Sequence, residues 1–200
     1  MAIYPSAGQL QGAKLAQSAT ASARNAWTAF SCWSRSAVEQ KGDQVIKTIT
    51  EIIVDGYPSG QTDFLTRLNE ADFLTQDRFD THIIQPMIAV LETTDQTAVL
   101  TITGHGDRVD TEGLSREQRR QLEFEASDAR ATSAKAGVRE LINNQTPFFI
   151  PDDLNDLEQL FVADRPAGAA VLRESGESLT EEQRLRNRRV QFRLIRFQPS

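Results

Sequence analysis

The sequence predicts an α/β fold, a small mixed β-sheet packed on helices in the manner of an α+β sandwich. One observation is the β-branched run VIKTITEIIV at positions 45–54, which favours a strand. Another is that strand-like and helix-like segments alternate along the rest of the chain. Hydrophobic residues make up 39% and charged residues 25% of the 200, a composition typical of a globular protein with a real core.

The chain is expected to consist of an N-terminal extension, residues 1–42, and a domain, residues 43–200. The extension is rich in Ala and Ser and carries Trp27 and Phe30 at helical spacing. This pattern predicts a helix that packs on the domain or on a partner. An oligomerisation helix is the alternative, because small residues allow helices to approach closely. Other protein subunits are expected to bind through this extension.

The first half of the domain continues with a turn, a helix and a second strand. Pro and Gly within residues 57–60 predict the turn. A helix is then expected to begin at Leu74 with Thr75 as its N-cap, and Pro86 should kink it or end it early. The apolar face of that helix consists of Phe79, Ile83, Met87 and Leu91. The second strand is predicted over residues 98–103.

The second half of the domain begins with a long helix. Ser115 and Gln118 form a capping box, which predicts a helix from there to about residue 142. The later predicted elements are a short helix over 151–160, a strand over 161–163, a helix capped by Thr180 and a closing strand over 190–194. In the closing strand, apolar and polar residues alternate, so Val190, Phe192 and Leu194 should face the core.

Composition and motifs exclude several classes of function. The net charge of −6 and a pI near 5.0 argue against nucleic acid as a partner. The arginine-rich stretch 184–196 is the exception, and we expect a solvated helix end and outward strand face there rather than a polyanion site. Cys32 is the only cysteine, and His82 and His105 lack metal-ligand spacing. Without a nucleophile motif or phosphate-binding loop, we expect no enzyme, no metal and no cofactor.

The chain carries no recognisable targeting segment. Its first residues lack the basic and apolar regions of a secretory signal. No stretch approaches the roughly 18 consecutive apolar residues of a membrane span. We therefore expect synthesis as a soluble cytoplasmic protein without direct membrane insertion.

Three segments of the second half carry motifs that occur in a fixed order. They are Gly104-His105-Gly106-Asp107 after a strand, Ala126-Ser127-Asp128-Ala129-Arg130-Ala131 with Ala134 and Val138 on a helix, and Thr180-x-x-Gln183-Arg184-x-x-Asn187-Arg188-Arg189-Val190 before the last strand. In order and direction they resemble the V-x-I-x-G-H-T-D, N-x-x-L-S-x-x-R-A-x-x-V and T-x-x-G-R-x-x-N-R-R-V motifs of OmpA-like peptidoglycan-binding domains, the OmpA C-terminal, MotB and Pal type. The resemblance is clearest over 98–197.

This resemblance implies a non-catalytic module that binds diaminopimelate in the peptidoglycan stem peptide. The free end of diaminopimelate is a zwitterion, so Asp107 would bind its ammonium and Arg130 would bind its carboxylate in a two-point fork. The other residues of the predicted site are Gly106, Glu123, Asn187 and Arg188. Two charge-assisted contacts of about 1.5–3 kcal/mol each imply roughly millimolar to tens-of-micromolar affinity.

Outside the motif context, Asp107 could cap a loop and Arg130 could form a surface ion pair. The chain also departs from the family pattern at the predicted site. Gly106 stands where OmpA-like domains have Thr, which removes a hydroxyl. Glu123 stands where they have Asn, and we expect it near enough to compete for Arg130. The additional stretch 109–120 would rim the pocket or cover it.

Two functions from different classes follow. The first is a cell-wall binding module that anchors an envelope- or virion-associated assembly, and the retained Asp107 and Arg130 favour it. The second is a structural subunit of a multiprotein machine, such as a phage-tail-like injection system, with a degenerate pocket. Gly106, Glu123 and the missing export signal favour this second hypothesis.

Overall fold

In the computed structural model, the described residues are 40–41, 44–147, 149–176 and 178–199. They fall within one unit of the chain, residues 40–200. The helix expected in the N-terminal extension, with Trp27 and Phe30, lies outside the described residues. The division of the chain at residue 42 therefore stays a prediction.

Five strands form a mixed sheet in the described part of the chain. They are β1 (Gln40–Lys41), β2 (Gln44–Val54), β3 (Thr97–His105), β4 (Leu160–Pro166) and β5 (Arg189–Pro199). The order across the sheet is β1-β2-β5-β3-β4. Strand β5 pairs antiparallel with both β2 and β3, whereas β3 and β4 are parallel. The predicted α/β class is confirmed, and each predicted strand is present and somewhat longer than expected.

Five α-helices accompany the sheet within the described residues. They are α1 (Phe64–Glu70), α2 (Phe73–Phe79), α3 (Gln85–Leu91), α4 (Arg116–Gln145) and α5 (Glu181–Asn187). Helix α4 begins at the predicted capping box, in which Ser115 and Gln118 bind each other's backbone N–H groups. Thr180 caps α5, also as predicted. Helix α4 connects the parallel strands β3 and β4, so it crosses from one to the other as in a βαβ unit.

Three details of the helix predictions are wrong. Helix α1 was not predicted at all. The N-cap of α2 is Asp72 rather than Thr75, since the Asp72 carboxylate accepts from the Thr75 N–H at 2.8 Å. Pro86 does not end the helical segment, because it lies in the first turn of α3, directly after a π-helical turn at Asp80–Ile84.

The short helix predicted over 151–160 is also wrong. Only a 3₁₀ turn, Leu154–Asp156, forms there, capped by Asp153. The reason is that Leu160 already belongs to β4, where it pairs with Ala98 of β3. Asn155 also binds the backbone of Val162 in β4 through both groups of its amide, which ties the turn to the sheet.

The core lies between the helices and one face of the sheet. Val190, Phe192 and Leu194 of β5 are buried on that face. Gln191 and Arg193, which alternate with them, are half-buried on the other face. The predicted register of β5 is therefore confirmed, since a shift by one residue would exchange the two faces.

Three phenylalanines pack at the centre of this core. The rings of Phe64, Phe79 and Phe192 lie 4.8–5.3 Å apart between centroids, in tilted and edge-on arrangements. Gly137 of α4 makes room for them, because a Cβ there would lie 2.6 Å from Cδ1 of Phe64. A glycine within a long helix is therefore explained by packing and not by flexibility.

Candidate functional site

The candidate site lies where β3 ends and α4 packs across it. A Cβ on Gly104 would collide with the backbone carbonyl of Ser127 in α4. A Cβ on Gly106 would lie 2.9 Å from the carbonyl oxygen of Glu123, so the family's threonine does not fit here unless α4 moves. The Gly106 N–H donates to the carbonyl of Gly168 at 2.7 Å. Gly106 therefore allows the close strand–helix packing on which the site is built.

Arg130 points from α4 into the protein, and only 2% of its surface is exposed. Its Nη1 donates to the carbonyl of His105 at 2.9 Å and its Nε to that of Gln61 at 3.2 Å. The guanidinium carbon lies 5.4 Å from the ring centre of Tyr57. Burial lowers the pKa of Arg130 to about 10, although Tyr57 and Asp107 act in the opposite direction. Arg130 is thus a buried cation held mainly by carbonyl oxygens.

Asp107 lies two residues beyond the end of β3, and 8% of its surface is exposed. Asn187 donates to its Oδ1 at 3.1 Å and Arg184 to its Oδ2 at 3.0 Å. Nη2 of Arg188 lies 3.6 Å from the same Oδ2. Both carboxylate oxygens therefore have partners within the chain. We call Asp107, Arg130, Arg184, Asn187 and Arg188 the Asp107 cluster.

Asn187 organises the surroundings of Asp107. It is fully buried, and its Oδ1 accepts from the backbone N–H groups of Arg173 and Glu174 at 2.9 and 2.8 Å. Its Nδ2 donates to the carbonyl of Glu174 at 3.0 Å as well as to Asp107. One amide side chain therefore fixes the connection between β4 and α5 against the end of β3.

The structure places Asp107 and Arg130 at the same end of β3, although 23 positions separate them in the sequence. Arg130 binds the carbonyl of His105, two residues before Asp107. The expected shallow, solvent-reachable hollow is wrong, because both side chains are less than one tenth exposed. The reason is that different parts of the chain enclose each of them. Tyr57, Gln61 and the His105 carbonyl contact Arg130, whereas Arg184, Asn187 and Arg188 contact Asp107.

Glu123 does not compete for Arg130, contrary to expectation. Its Oε1 accepts from the backbone N–H of Val109 at 2.9 Å. The Arg130 guanidinium binds the carbonyls of His105 and Gln61, and no ion pair joins it to Glu123. Glu123 binds the start of the additional stretch 109–120 instead.

The arginines around α5 are paired inside the chain, so the expected solvated surface is wrong. Arg186 pairs with Glu174 at 2.9 Å, and Arg188 pairs with Glu181 at 2.8 Å. Arg189 is 5% exposed, and it donates to the backbone carbonyls of Asn187 and Val171. These pairs neutralise much of the positive charge, which does not favour a polyanion site.

Three contributors were missed in the sequence. Arg184 binds Asp107, and Tyr57 and Gln61 surround Arg130. Arg184 stands within the third motif, so the motif itself carried a signal. Tyr57 and Gln61 lie at the predicted turn, where no pattern pointed to the site.

The rest of the described structure offers few other sites. A hollow of about 290 Å³ lies beside β2 and α2, lined in part by Glu51, Asp55, Arg78 and Arg173. No group of three or more His, Cys, Asp or Glu side chains is placed to hold a metal among the described residues. No helix in that part of the chain is long and apolar enough to cross a membrane.

Known proteins similar to this chain are found among solved structures. No protein-family profile and no curated protein sequence matches it. The chain is similar to the cell wall anchor of the T6SS from Pseudomonas aeruginosa, at 18% identity over 78% of this chain and 85% of that one, with a TM-score of 0.34. It is similar to the periplasmic domain of Helicobacter pylori MotB, at 17% identity over 82% and 89%, with a TM-score of 0.35.

A third similar structure is the OmpA-like domain of FopA1 from Francisella tularensis, at 12% identity over 82% of this chain and 79% of that one, with a TM-score of 0.36. OmpA-like and MotB periplasmic domains are thus among the structures that this chain resembles, as the sequence motifs predicted. The identities are too low for individual residues to be carried over.

Proposed function

We propose that this domain binds the zwitterionic end of diaminopimelate in the peptidoglycan stem peptide. It would be a non-catalytic module that anchors a larger envelope- or virion-associated assembly to the cell wall. The observation that carries the proposal is the state of Arg130. Its guanidinium is buried, yet no carboxylate of the described residues lies within ion-pair distance of it.

A buried cation without a counter-ion is costly, because desolvation is not offset by a paired charge. The planar guanidinium offers a fork of donors that matches a carboxylate. A ligand carboxylate at Arg130 would supply the missing negative charge. Asp107 lies in the same cluster and would bind the ligand's ammonium group, which completes recognition of a zwitterion.

Charge within the cluster supports the same ligand. The buried charged side chains of the cluster are Asp107, Arg130 and Arg188, one negative and two positive. Arg188 pairs with Glu181, but the Glu181 side chain is 63% exposed and its charge is screened by water. The buried part of the site therefore favours a ligand that brings a carboxylate.

Co-sedimentation with diaminopimelate-type and lysine-type peptidoglycan tests this function. Lysine has the side-chain ammonium but lacks the adjacent carboxylate, so only the diaminopimelate-type wall should retain the protein. Arg130→Lys keeps the charge but loses the fork, and Asp107→Asn removes the negative charge. Each should weaken binding by about 10- to 100-fold, the equivalent of one charge-assisted contact.

The exposed Arg120 on the same helix provides the matched control, since Arg120→Lys makes the same chemical change away from the cluster. Thermal unfolding of each variant would verify that it is folded. Equal retention of the wild type and Arg130→Lys would contradict the proposal, as would equal retention on both wall types.

A structural subunit with a closed pocket is the second candidate. The observation that favours it is that both oxygens of Asp107 already have partners within the chain. In that case the cluster would stabilise the fold, and attachment to other subunits would occur through residues 1–42. A folded wild-type protein that no peptidoglycan retains would favour this candidate.

A further inference from the structure

One arginine makes several of the contacts that hold the segment after β3. Nη1 of Arg184 lies 3.0 Å from Oδ2 of Asp107, and its Nη2 lies 2.5 Å from Oδ2 of Asp110. The same Nη1 donates to the carbonyl of Arg108 at 3.3 Å. Residues 107–110, which we call the latch segment, are therefore tied to α5 at three points by the Arg184 guanidinium, in addition to the bond from Asn187 to Asp107.

A second tie holds the latch segment from the opposite side. The backbone N–H of Val109 donates to Glu123 of α4 at 2.9 Å. Every residue of the segment thus makes a polar contact with α4 or α5. Its first residue, Asp107, is also the residue proposed to bind the ligand's ammonium group.

The two carboxylates that Arg184 bridges differ in exposure. The side chain of Asp107 is 5% exposed and that of Asp110 is 47% exposed, with Arg184 at 22%. The inner pair is therefore buried, whereas the outer pair reaches solvent and contributes little stability. Arg188, by contrast, is 10% exposed on its side chain and pairs with Glu181. Arg184 is therefore the partner of Asp107 that can leave most easily.

We infer that Arg184 is an internal competitor for the ligand's ammonium group and that Asp110 holds it in the competing position. This inference rests on the proposed function. In the closed state the Arg184 guanidinium satisfies Asp107 in place of a ligand. When an ammonium binds Asp107, Arg184 moves outward with Asp110, and the latch segment opens the way to Arg130.

Asp110→Asn tests the latch with little risk to folding, because Asp110 is half exposed. The variant keeps the buried pair and weakens only the outer one. An exposed ion pair contributes about 0.2–1 kcal/mol, which corresponds to a gain of about 1.5- to 5-fold in the open population. We expect the same factor in amide hydrogen exchange of Val109 and in affinity for diaminopimelate-type peptidoglycan.

Glu112→Gln is the matched control, since Glu112 is exposed, lies close by in the chain and forms no ion pair with any described residue. It should change neither quantity. Glu123→Ala is a second variant that should release the latch segment, because it removes the α4 side chain that accepts from the Val109 N–H. It should raise both exchange and affinity in the same direction as Asp110→Asn.

The two measurements separate this inference from the proposed function. Unchanged exchange of Val109 in Asp110→Asn would overturn the latch. Faster exchange with unchanged retention on the wall would overturn competition by Arg184. Faster exchange in a protein that never binds the wall would overturn the proposed function and leave the latch as a structural tie. Faster exchange together with tighter retention supports the inference.

Discussion

His105 should make the stability of this protein fall as the pH is lowered. The side chain is 3% exposed, and neither ring nitrogen makes a hydrogen bond of normal length and angle with a described residue. Burial and the positive charge of Arg189, its neighbour across the strands, together lower the pKa of His105 to about 4. The unfolded chain binds the proton with an ordinary pKa of about 6.5. A folded pKa below the unfolded one means that protonation favours unfolding.

The loss should begin near the unfolded pKa and continue down to the folded one. Between about pH 7.5 and pH 5, a shift of this size removes about 2 kcal/mol from the free energy of unfolding. The variant His105→Gln cannot titrate, so its free energy of unfolding should lack this contribution. His82→Gln is the control, because it makes the same chemical change at an exposed position.

Urea unfolding of the three proteins at a series of pH values would measure the effect. The difference between the wild type and His105→Gln isolates the histidine, since carboxylates titrate equally in both proteins. The wild type should lose about 2 kcal/mol more than His105→Gln at about pH 5. Parallel curves for the two proteins over this range would refute the argument from burial.

Two further predictions concern the close packing of α4. Gly104→Ala should lower the free energy of unfolding by about 3 kcal/mol or more. Its Cβ would collide with backbone atoms of α4, which cannot change rotamer to relieve the clash as a side chain could. An unchanged denaturant midpoint would contradict this. Gly137→Ala gains about 1 kcal/mol of helix propensity but meets the ring of Phe64, and we expect a net loss. That loss should shrink in a Phe64→Leu background, and a double-mutant cycle without coupling would show that the contact is not the cause.

Local patterns in the sequence determined much of the fold. The β-branched run of β2 and the alternation in β5 depend on neighbouring residues only, and so does the capping box of Ser115 and Gln118. Helix α1 was missed because its seven residues show too little periodicity to identify by themselves. The cap of α2 was misplaced because Asp72 and Thr75 are both good N-caps, and only the backbone path decides between them.

The sequence by itself also determined that Asp107 follows a strand and that Arg130 lies on the next helix. Only the tertiary structure decided that both are buried. Arg184, which pairs with Asp107, lies 77 positions after it in the chain, so no local pattern could predict the contact. Several arginines near α5 could have paired with that carboxylate, and their spacing does not rank them. Burial and choice of partner depend on how distant elements pack, whereas local propensity acts only over a few residues. The closed state of the site is therefore a property of the packed fold.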